Sequence, residues 1–321
     1  MWAALFPGQG SQHTGMGQFL YDNFTIAKEL FEEASDSLSV DFKKLCFDGP
    51  ESDLALTHNT QPCLLLVSTA THRVLQSLVP FEPIAGAGHS IGEYAALVAG
   101  GSLNFVDAMR AVRKRGEYMQ SAVPVGEGAM VAVMGVTPEQ IIELCKWTEK
   151  TSSLGPVEPA NFNAPGQIVA SGQSQAIEWL QKNYSPEAFS GEAPRRLKFI
   201  PLKVSAPFHC SMMQPAEEKM RKTLEDTPFQ DSAYPIVQNF TADPVREAAV
   251  LRENVIRQIS APVRWVECVE KLVHMGTRKV VELGCGKVLS GLAKKIDSAN
   301  LETFNINSLD ELKALEQQLQ A

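Results

Sequence analysis

Short apolar runs alternate with longer amphipathic stretches through the first 125 residues, the rhythm of an α/β chain. Residues 2–6 read as a strand running into the turn Pro7-Gly8-Gln9-Gly10-Ser11-Gln12, and 83–88 as a second, buried strand followed by an Ala-rich helix over 91–99. A further helix starts near Phe105, with Asn104 and Asp107 as start signals; its apolar or small positions are Phe105, Met109, Val112, Gly116 and Met119, spaced 4, 3, 4, 3. At about 100° per residue, Lys114 falls opposite this stripe and Arg115 about 80° from its centre. Spacing alone leaves Arg115 either a flank residue that turns inward or a solvated arginine in a basic run.

Between residues 126 and 202 the pattern changes. Strands over 128–136, 157–161, 167–172 and 197–204 and helices over 138–147 and 174–182 follow in the order βαββαβ, a ferredoxin-like unit, with 148–156 and 184–194 as flexible connectors. The α/β rhythm then resumes: helix 212–226, strand 235–240, helix 263–274, strand 280–283, and a terminal helix over 308–320 whose Leu309, Leu312, Leu315 and Leu319 form a docking face. The expected fold class is α/β: an α/β-hydrolase-like core with a mostly parallel sheet, built from 1–125 and 203–321, around an inserted ferredoxin-like subdomain at 126–202.

Composition narrows the class. Hydrophobic residues make up 44% of the 321 and charged residues 21%, which suits a folded globular chain. With 29 basic against 37 acidic residues the net charge is −8, and no basic stripe with interleaved aromatics appears, so nucleic acid is not an expected partner. No apolar stretch approaches the roughly 18 to 20 residues that span a bilayer, and the amino terminus lacks the pattern of a signal peptide, so a cytoplasmic protein with no membrane partner is expected. The six cysteines (46, 63, 145, 210, 268, 285) include no Cys-x-x-Cys and are read as thiols, mostly buried; no metal-ligand spacing is written in the chain.

Gly88-His89-Ser90-Ile91-Gly92 is a Gly-x-Ser-x-Gly pattern between a predicted strand and a predicted helix, the context of a nucleophile elbow. The turn exposes the Ser90 hydroxyl and points the Ile91 N–H, at a helix amino terminus, toward a developing oxyanion. A serine needs a base. His209, in the loop Ser205-Ala206-Pro207-Phe208-His209-Cys210 after a strand, is the best placed of the remaining histidines. The loop Gly8-Gln9-Gly10-Ser11-Gln12 lacks the third glycine of a dinucleotide fingerprint and the ending of a P-loop, so it reads as a second oxyanion donor or a plain tight turn.

Six colinear segments resemble the malonyl-CoA:acyl carrier protein transacylase family: Phe6 through Gln12, Gly88 through Tyr94, Arg115-Gly116 with Met119-Gln120, Asn161-Phe162-Asn163-Ala164-Pro165-Gly166-Gln167, Ser205 through His209, and Gly286 through Leu292. The resemblance implies a ping-pong acyl transfer in fatty acid biosynthesis. Malonyl-CoA and acyl carrier protein are then the substrates and partners, and the protein itself carries no cofactor because phosphopantetheine belongs to the carrier. It assigns Ser90 as nucleophile, His209 as base, the Gln9 and Ile91 N–H groups as the oxyanion hole, Arg115 as the holder of the malonyl carboxylate, and the Gln258 carbonyl as the group orienting the imidazole. Met119, Phe208 and Asn161 are implied as supporting residues, Phe208 as the aromatic that crowds an α-methyl branch. Cys285 stands where relatives usually have proline.

A monomer is expected. Because the carrier is acidic and this chain is net acidic too, docking calls for a local basic surface, for which Lys114, Arg195, Arg196, Lys287, Lys294 and Lys295 are candidates. Two other readings remain open on sequence: an acyltransferase serving a polyketide synthase, and a serine thioesterase, which needs the same elbow but no arginine for a substrate carboxylate.

Overall fold

The computed structural model describes residues 1–204 and 206–320; Ser205 of the Ser205–His209 motif and Ala321 lie outside the described residues. The strands are β1 (Trp2–Phe6), β2 (Ala85–Gly88), β3 (Gly128–Met134), β4 (Val157–Ala164), β5 (Gln167–Gln173), β6 (Lys198–Pro201), β7 (Ile236–Val237), β8 (Pro244–Val245), β9 (Lys279–Glu282) and β10 (Glu302–Asn305). They form two sheets, ordered β10-β9-β1-β2-β7-β8 and β4-β5-β3-β6. In the first, every pairing is parallel except β7 with β8. The second is antiparallel throughout, and its order is that of a ferredoxin-like βαββαβ unit.

The larger sheet is buried on both faces, as a parallel sheet with helical crossovers must be. Along β1, Ala4 and Phe6 join a core with the helices Thr57–Leu78, Gly92–Ala99 and Phe105–Ser121, whereas Ala3 and Leu5 join a second core with Trp265–His274 and Val288–Asp297. Small residues fill β2 because its neighbours press close: a side chain on Gly86 would meet Tyr234, just before β7, at 3.0 Å, and one on Gly88 would meet Gly92 of the following helix at 2.0 Å. The smaller sheet packs its own core against the helices Pro138–Ser152 and Ser174–Asn183.

The two sheets are joined where the cleft lies. β4 bridges in parallel to Val263, with Phe162 N–H donating to the Val263 carbonyl and Val263 N–H to that of Ala160. From the other side, the loop before the helix Gln214–Glu225 is held by Glu158 of β4, whose carboxylate accepts from both the backbone N–H and the hydroxyl of Ser211, each at 2.7 Å.

Several sequence expectations change. The stretch 148–152, read as connector, is the last turn of Pro138–Ser152, with Thr148 fully buried and its hydroxyl on the Leu144 carbonyl. Residues 184–194 are not simply connector either, since they hold a short 3₁₀ turn, Pro186–Ala188. The strand expected over 235–240 is only Ile236–Val237, because the backbone of Asn239 turns away to bind Glu93. The helix Thr57–Leu78 gives no stripe because residues 60–72 are buried all round, which erases a 3.6-residue period. The helices Ala248–Arg257 and Val288–Asp297 and the strands β8 and β10 have no counterpart among the elements the sequence pattern predicts. Among the described residues no helix is long and apolar enough to cross a membrane.

The helix carrying Arg115 crosses Thr57–Leu78 at Gly116, where an added methyl would lie 2.5 Å from His58 Cα and 2.8 Å from the Thr57 carbonyl oxygen. These are backbone atoms and cannot swing aside. Gly116→Ala is expected to cost about 1–3 kcal/mol of stability, measured by urea denaturation, and to impair the site through the displaced Arg115; an unchanged midpoint would refute the close crossing.

Candidate active site

Ser90 sits at the end of β2 with φ of 53°, a left-handed conformation that a serine adopts only when its surroundings enforce it. The enforcement is steric. A methyl on Gly88 would lie 2.0 Å from the Gly92 carbonyl carbon, and one on Gly92 2.1 Å from the Phe6 carbonyl oxygen, so both ends of the turn require glycine. Gly8 is equally constrained, because a methyl there would meet the His89 carbonyl oxygen at 2.5 Å; the loop bearing Gln9 therefore rests directly against the elbow. Asn239 clamps the turn from below, accepting from the Ser90 N–H at 2.7 Å and donating to the Gly88 carbonyl at 2.8 Å.

Ser90 Oγ lies 2.7 Å from His209 Nε2, and His209 Nδ1 lies 2.9 Å from the Gln258 carbonyl oxygen. A carbonyl only accepts, so Nδ1 carries the proton and Nε2 presents its lone pair to the serine hydroxyl. His209 is itself left-handed, with φ of 60°. Burial and then the Arg115 guanidinium push its pKa down to about 3, while the Gln258 carbonyl acts in the opposite sense. The imidazole is thus neutral, the form a general base needs.

Arg115 has turned inward and is 1% exposed. Its Nη1 donates to Gln61 Oε1 at 2.9 Å; its Nη2 donates to Gln258 Oε1 at 2.8 Å and to Ser90 Oγ at 3.2 Å, and the guanidinium lies over the Tyr94 ring. Its Nε has no hydrogen-bond partner among the described residues. Every acceptor is neutral. A buried guanidinium beside the nucleophile, held by neutral groups, is chemically suited to a planar anion.

Ser90, His209, Arg115 and Gln61 line one cleft with Gln9, Ile91, Met119, Asn161 and Phe208, and Gln258 backs it through His209 and Arg115, so the structure brings together the candidate site residues of the sequence. Gln9 and Ile91 lie at the Ser90 end on the two segments that Gly8 and Gly92 pack together. Met119 receives a weak contact from Gln61 Nε2 at 3.8 Å. Asn161 comes from β4 and Phe208 directly precedes the base. All six cysteines are free and buried, Cys285 near Ser11 and outside the cleft.

Other residues escape sequence reasoning. Gln61 projects from the uniformly buried helix and no pattern marks it. His89 and Asn163 pair across the cleft at 2.8 Å, linking the elbow to the smaller sheet. Glu93, wholly buried, accepts from Gln238 Nε2 at 2.9 Å, Asn239 N–H at 2.8 Å and Gln258 Nε2 at 2.8 Å. Burial raises its pKa to about 7 against the pull of those three donors and of Arg115. Glu93 and Asn163 both lie inside the quoted motifs, yet nothing in the letters distinguishes them from their neighbours.

An α/β scaffold, a serine on a strained elbow and a neutral imidazole held by a carbonyl define a serine-nucleophile enzyme of the acyl-transfer class. The chain matches the acyl transferase domain model over residues 4–300. It is 42% identical over 314 residues to the malonyl CoA-acyl carrier protein transacylase of Bacillus subtilis, covering 97% of this chain and 95% of that one. The crystal structure of an acyl carrier protein S-malonyltransferase from Vibrio cholerae is similar at a TM-score of 0.90 and 40% identity, over 98% of this chain and 99% of that one. A malonyl-transacylase solved in complex with its type II PKS acyl-carrier protein gives a TM-score of 0.91 at 38% identity, over 99% of each. The chain belongs to the malonyl CoA-acyl carrier protein transacylase family of acyltransferases.

Because the free imidazole stays neutral far below its ordinary range, labelling of Ser90 by a fluorophosphonate is expected to be nearly flat from pH 8 to pH 5, with no label in Ser90→Ala. A loss of labelling centred near pH 6.5, the ordinary histidine value, would show that Arg115 and burial do not hold His209 down.

Proposed function

We propose that this protein moves a malonyl group from malonyl-CoA to the phosphopantetheine thiol of an acyl carrier protein through a malonyl-Ser90 ester, for fatty acid biosynthesis. The observation that carries the reading is Arg115: a buried cation with only neutral acceptors, 3.2 Å from the nucleophile. A thioesterase for uncharged acyl groups has no use for it.

In the first half-reaction Ser90 Oγ attacks the thioester carbonyl as its proton passes to His209 Nε2. The resulting oxyanion is stabilised by the Gln9 and Ile91 N–H groups. When the tetrahedral intermediate collapses, the C–S bond breaks and His209 returns the proton to the departing CoA sulfur. The second half-reaction reverses the order: the carrier thiol gives its proton to His209, attacks the ester, and Ser90 regains its hydrogen as the malonyl thioester leaves. Arg115 holds the far carboxylate with parallel N–H···O bonds, giving up its contact to Ser90 Oγ as the serine becomes acylated. Met119 and Phe208 bound the acyl pocket, Phe208 disfavouring an α-methyl branch, and Asn161 supports the wall opposite the elbow. No cofactor enters this scheme.

Lys114, Arg195, Arg196, Lys287, Lys294 and Lys295 are all exposed, Lys114 and Arg195 with acidic neighbours at 3.7 Å. Their charge supports them as the docking surface for an acidic carrier. Reversing Lys287, Lys294 and Lys295 together is expected to raise the carrier KM several-fold and flatten its ionic-strength dependence; an unchanged salt profile would exclude them.

Intact-protein mass spectrometry tests the chemistry. Malonyl-CoA is expected to leave a malonyl adduct that holo carrier discharges, acetyl-CoA little adduct, and Ser90→Ala none. Arg115→Ala should lose about 2–5 kcal/mol of malonyl binding while gaining relative activity with uncharged acyl groups. Consumption of malonyl-CoA without a transient adduct would identify a hydrolase instead.

A further inference from the structure

Arg115 and Glu93 are both buried, and neither touches a group of opposite charge among the described residues. One side chain, Gln258, hydrogen-bonds to both. Gln258 turns its amide oxygen to Arg115 Nη2 at 2.8 Å and its amide nitrogen to Glu93 Oε2 at 2.8 Å. That orientation is dictated by the charges, since the flipped amide would set its NH₂ against the guanidinium and its oxygen against the carboxylate. A direct Arg115–Glu93 pair would occupy the edge of the guanidinium that an incoming carboxylate needs. The interposed amide links the two charges without direct contact, and Arg115 remains among the residues that line the cleft.

We propose that Glu93 is the internal counter-ion of Arg115 and a positioning residue for acyl selection, acting through the Gln258 amide to keep the guanidinium aimed at the cleft while weakening its hold on the substrate carboxylate. This rests on the reading of Arg115 as the carboxylate holder. Its consequence is a competition: the malonyl carboxylate and Glu93 are two anions on opposite sides of one cation, so each disfavours the other. Binding of the substrate carboxylate draws a proton from solvent onto Glu93, and a neutral residue at 93 strengthens the grip on malonyl. The titratable and charged groups facing Glu93 are Arg115, Tyr94 of its own helix, and Cys268 of the helix Trp265–His274. Burial holds the tyrosine and the thiol protonated well above neutrality, and Glu93, raised to about 7, is the one of these whose charge changes near pH 7.

Two measurements test this. Loading kinetics of Glu93→Gln are compared with wild type using malonyl-CoA and acetyl-CoA. The expected result is a KM for malonyl-CoA lowered about tenfold, the size of a screened charge pair one amide apart, with slower discharge of the malonyl ester and acetyl-CoA parameters changed less than twofold. An equal loss for both substrates marks a purely structural residue and overturns the proposal. Should that variant not fold, calorimetry on Ser90→Ala at pH 7, in two buffers of different ionisation heat, gives the protons taken up on binding each ligand. Malonyl-CoA is expected to draw in a fraction of a proton more than acetyl-CoA, and equal uptake overturns the proposal. A wild-type protein with no preference for malonyl over acetyl would bring down the carboxylate reading and Glu93's role with it, whereas an intact preference with equal effects of Glu93→Gln would overturn the counter-ion alone.

Discussion

One residue, Gln258, holds three parts of the site in register. Its main-chain carbonyl fixes the tautomer of His209, its side-chain oxygen receives Arg115, and its side-chain nitrogen reaches Glu93 and, at 3.1 Å, the Ser90 carbonyl. His209, Arg115 and the elbow are therefore positioned from one point. Burying an ion costs several kcal/mol after relaxation, and the attraction of an opposite charge offsets that only when the remaining polar groups are satisfied. Here the guanidinium and the carboxylate are each surrounded by neutral amides from Gln61, Gln238, Asn239 and Gln258. These amides act as fixed dipoles in place of water, so the site needs little rearrangement when a charge develops within it.

The same place concentrates strain. Ser90 and His209 both have left-handed backbones, a conformation that costs a non-glycine residue about 1–3 kcal/mol. Each is held from several directions. The Ser90 turn is squeezed between Phe6 and the helix Gly92–Ala99 and pinned by Asn239, and the His209 loop is tied down by Gln258 on one side and by Glu158 through Ser211 on the other. With both backbones over-determined, the 2.7 Å contact between hydroxyl and imidazole follows from the fold and not from the flexibility of either side chain.

How much of this is legible in the letters depends on range. The elbow can be read because its glycines are required by contacts within a few residues of the serine, and the helix bearing Arg115 because its apolar stripe keeps a regular period. The direction taken by Arg115 cannot be read from that stripe, since a flank position permits either outcome, and only the family resemblance points it inward. Long-range polar contacts leave no periodic trace: Gln61, Glu93 and Asn239 are joined to the site across 54, 165 and 149 positions of sequence. Buried elements are similarly silent, as the helix Thr57–Leu78 shows, because a stripe appears only where one face meets water. The strand expected over 235–240 shortens for the same reason the site exists: Gln238 and Asn239 leave the ladder to bind a buried carboxylate.

The cleft is also divided by origin. The chemistry, in Ser90, His209, Arg115 and Gln9, comes from segments on either side of the smaller sheet, whereas Met130, Asn161, Asn163 and Val169, which complete the wall, come from within that sheet. The contacts that join them are the backbone pairing at Val263 and the hydrogen bonds of His89 with Asn163 and of Glu158 with Ser211. Met130 and Val169 thus shape the cleft from within the smaller sheet. The apolar side chains Met119, Met130, Val169 and Phe208 serve a second end. Lining the cleft beside Ser90 together with the polar Gln9, Gln61, Asn161 and Asn163, they reduce the room left for water next to the hydroxyl.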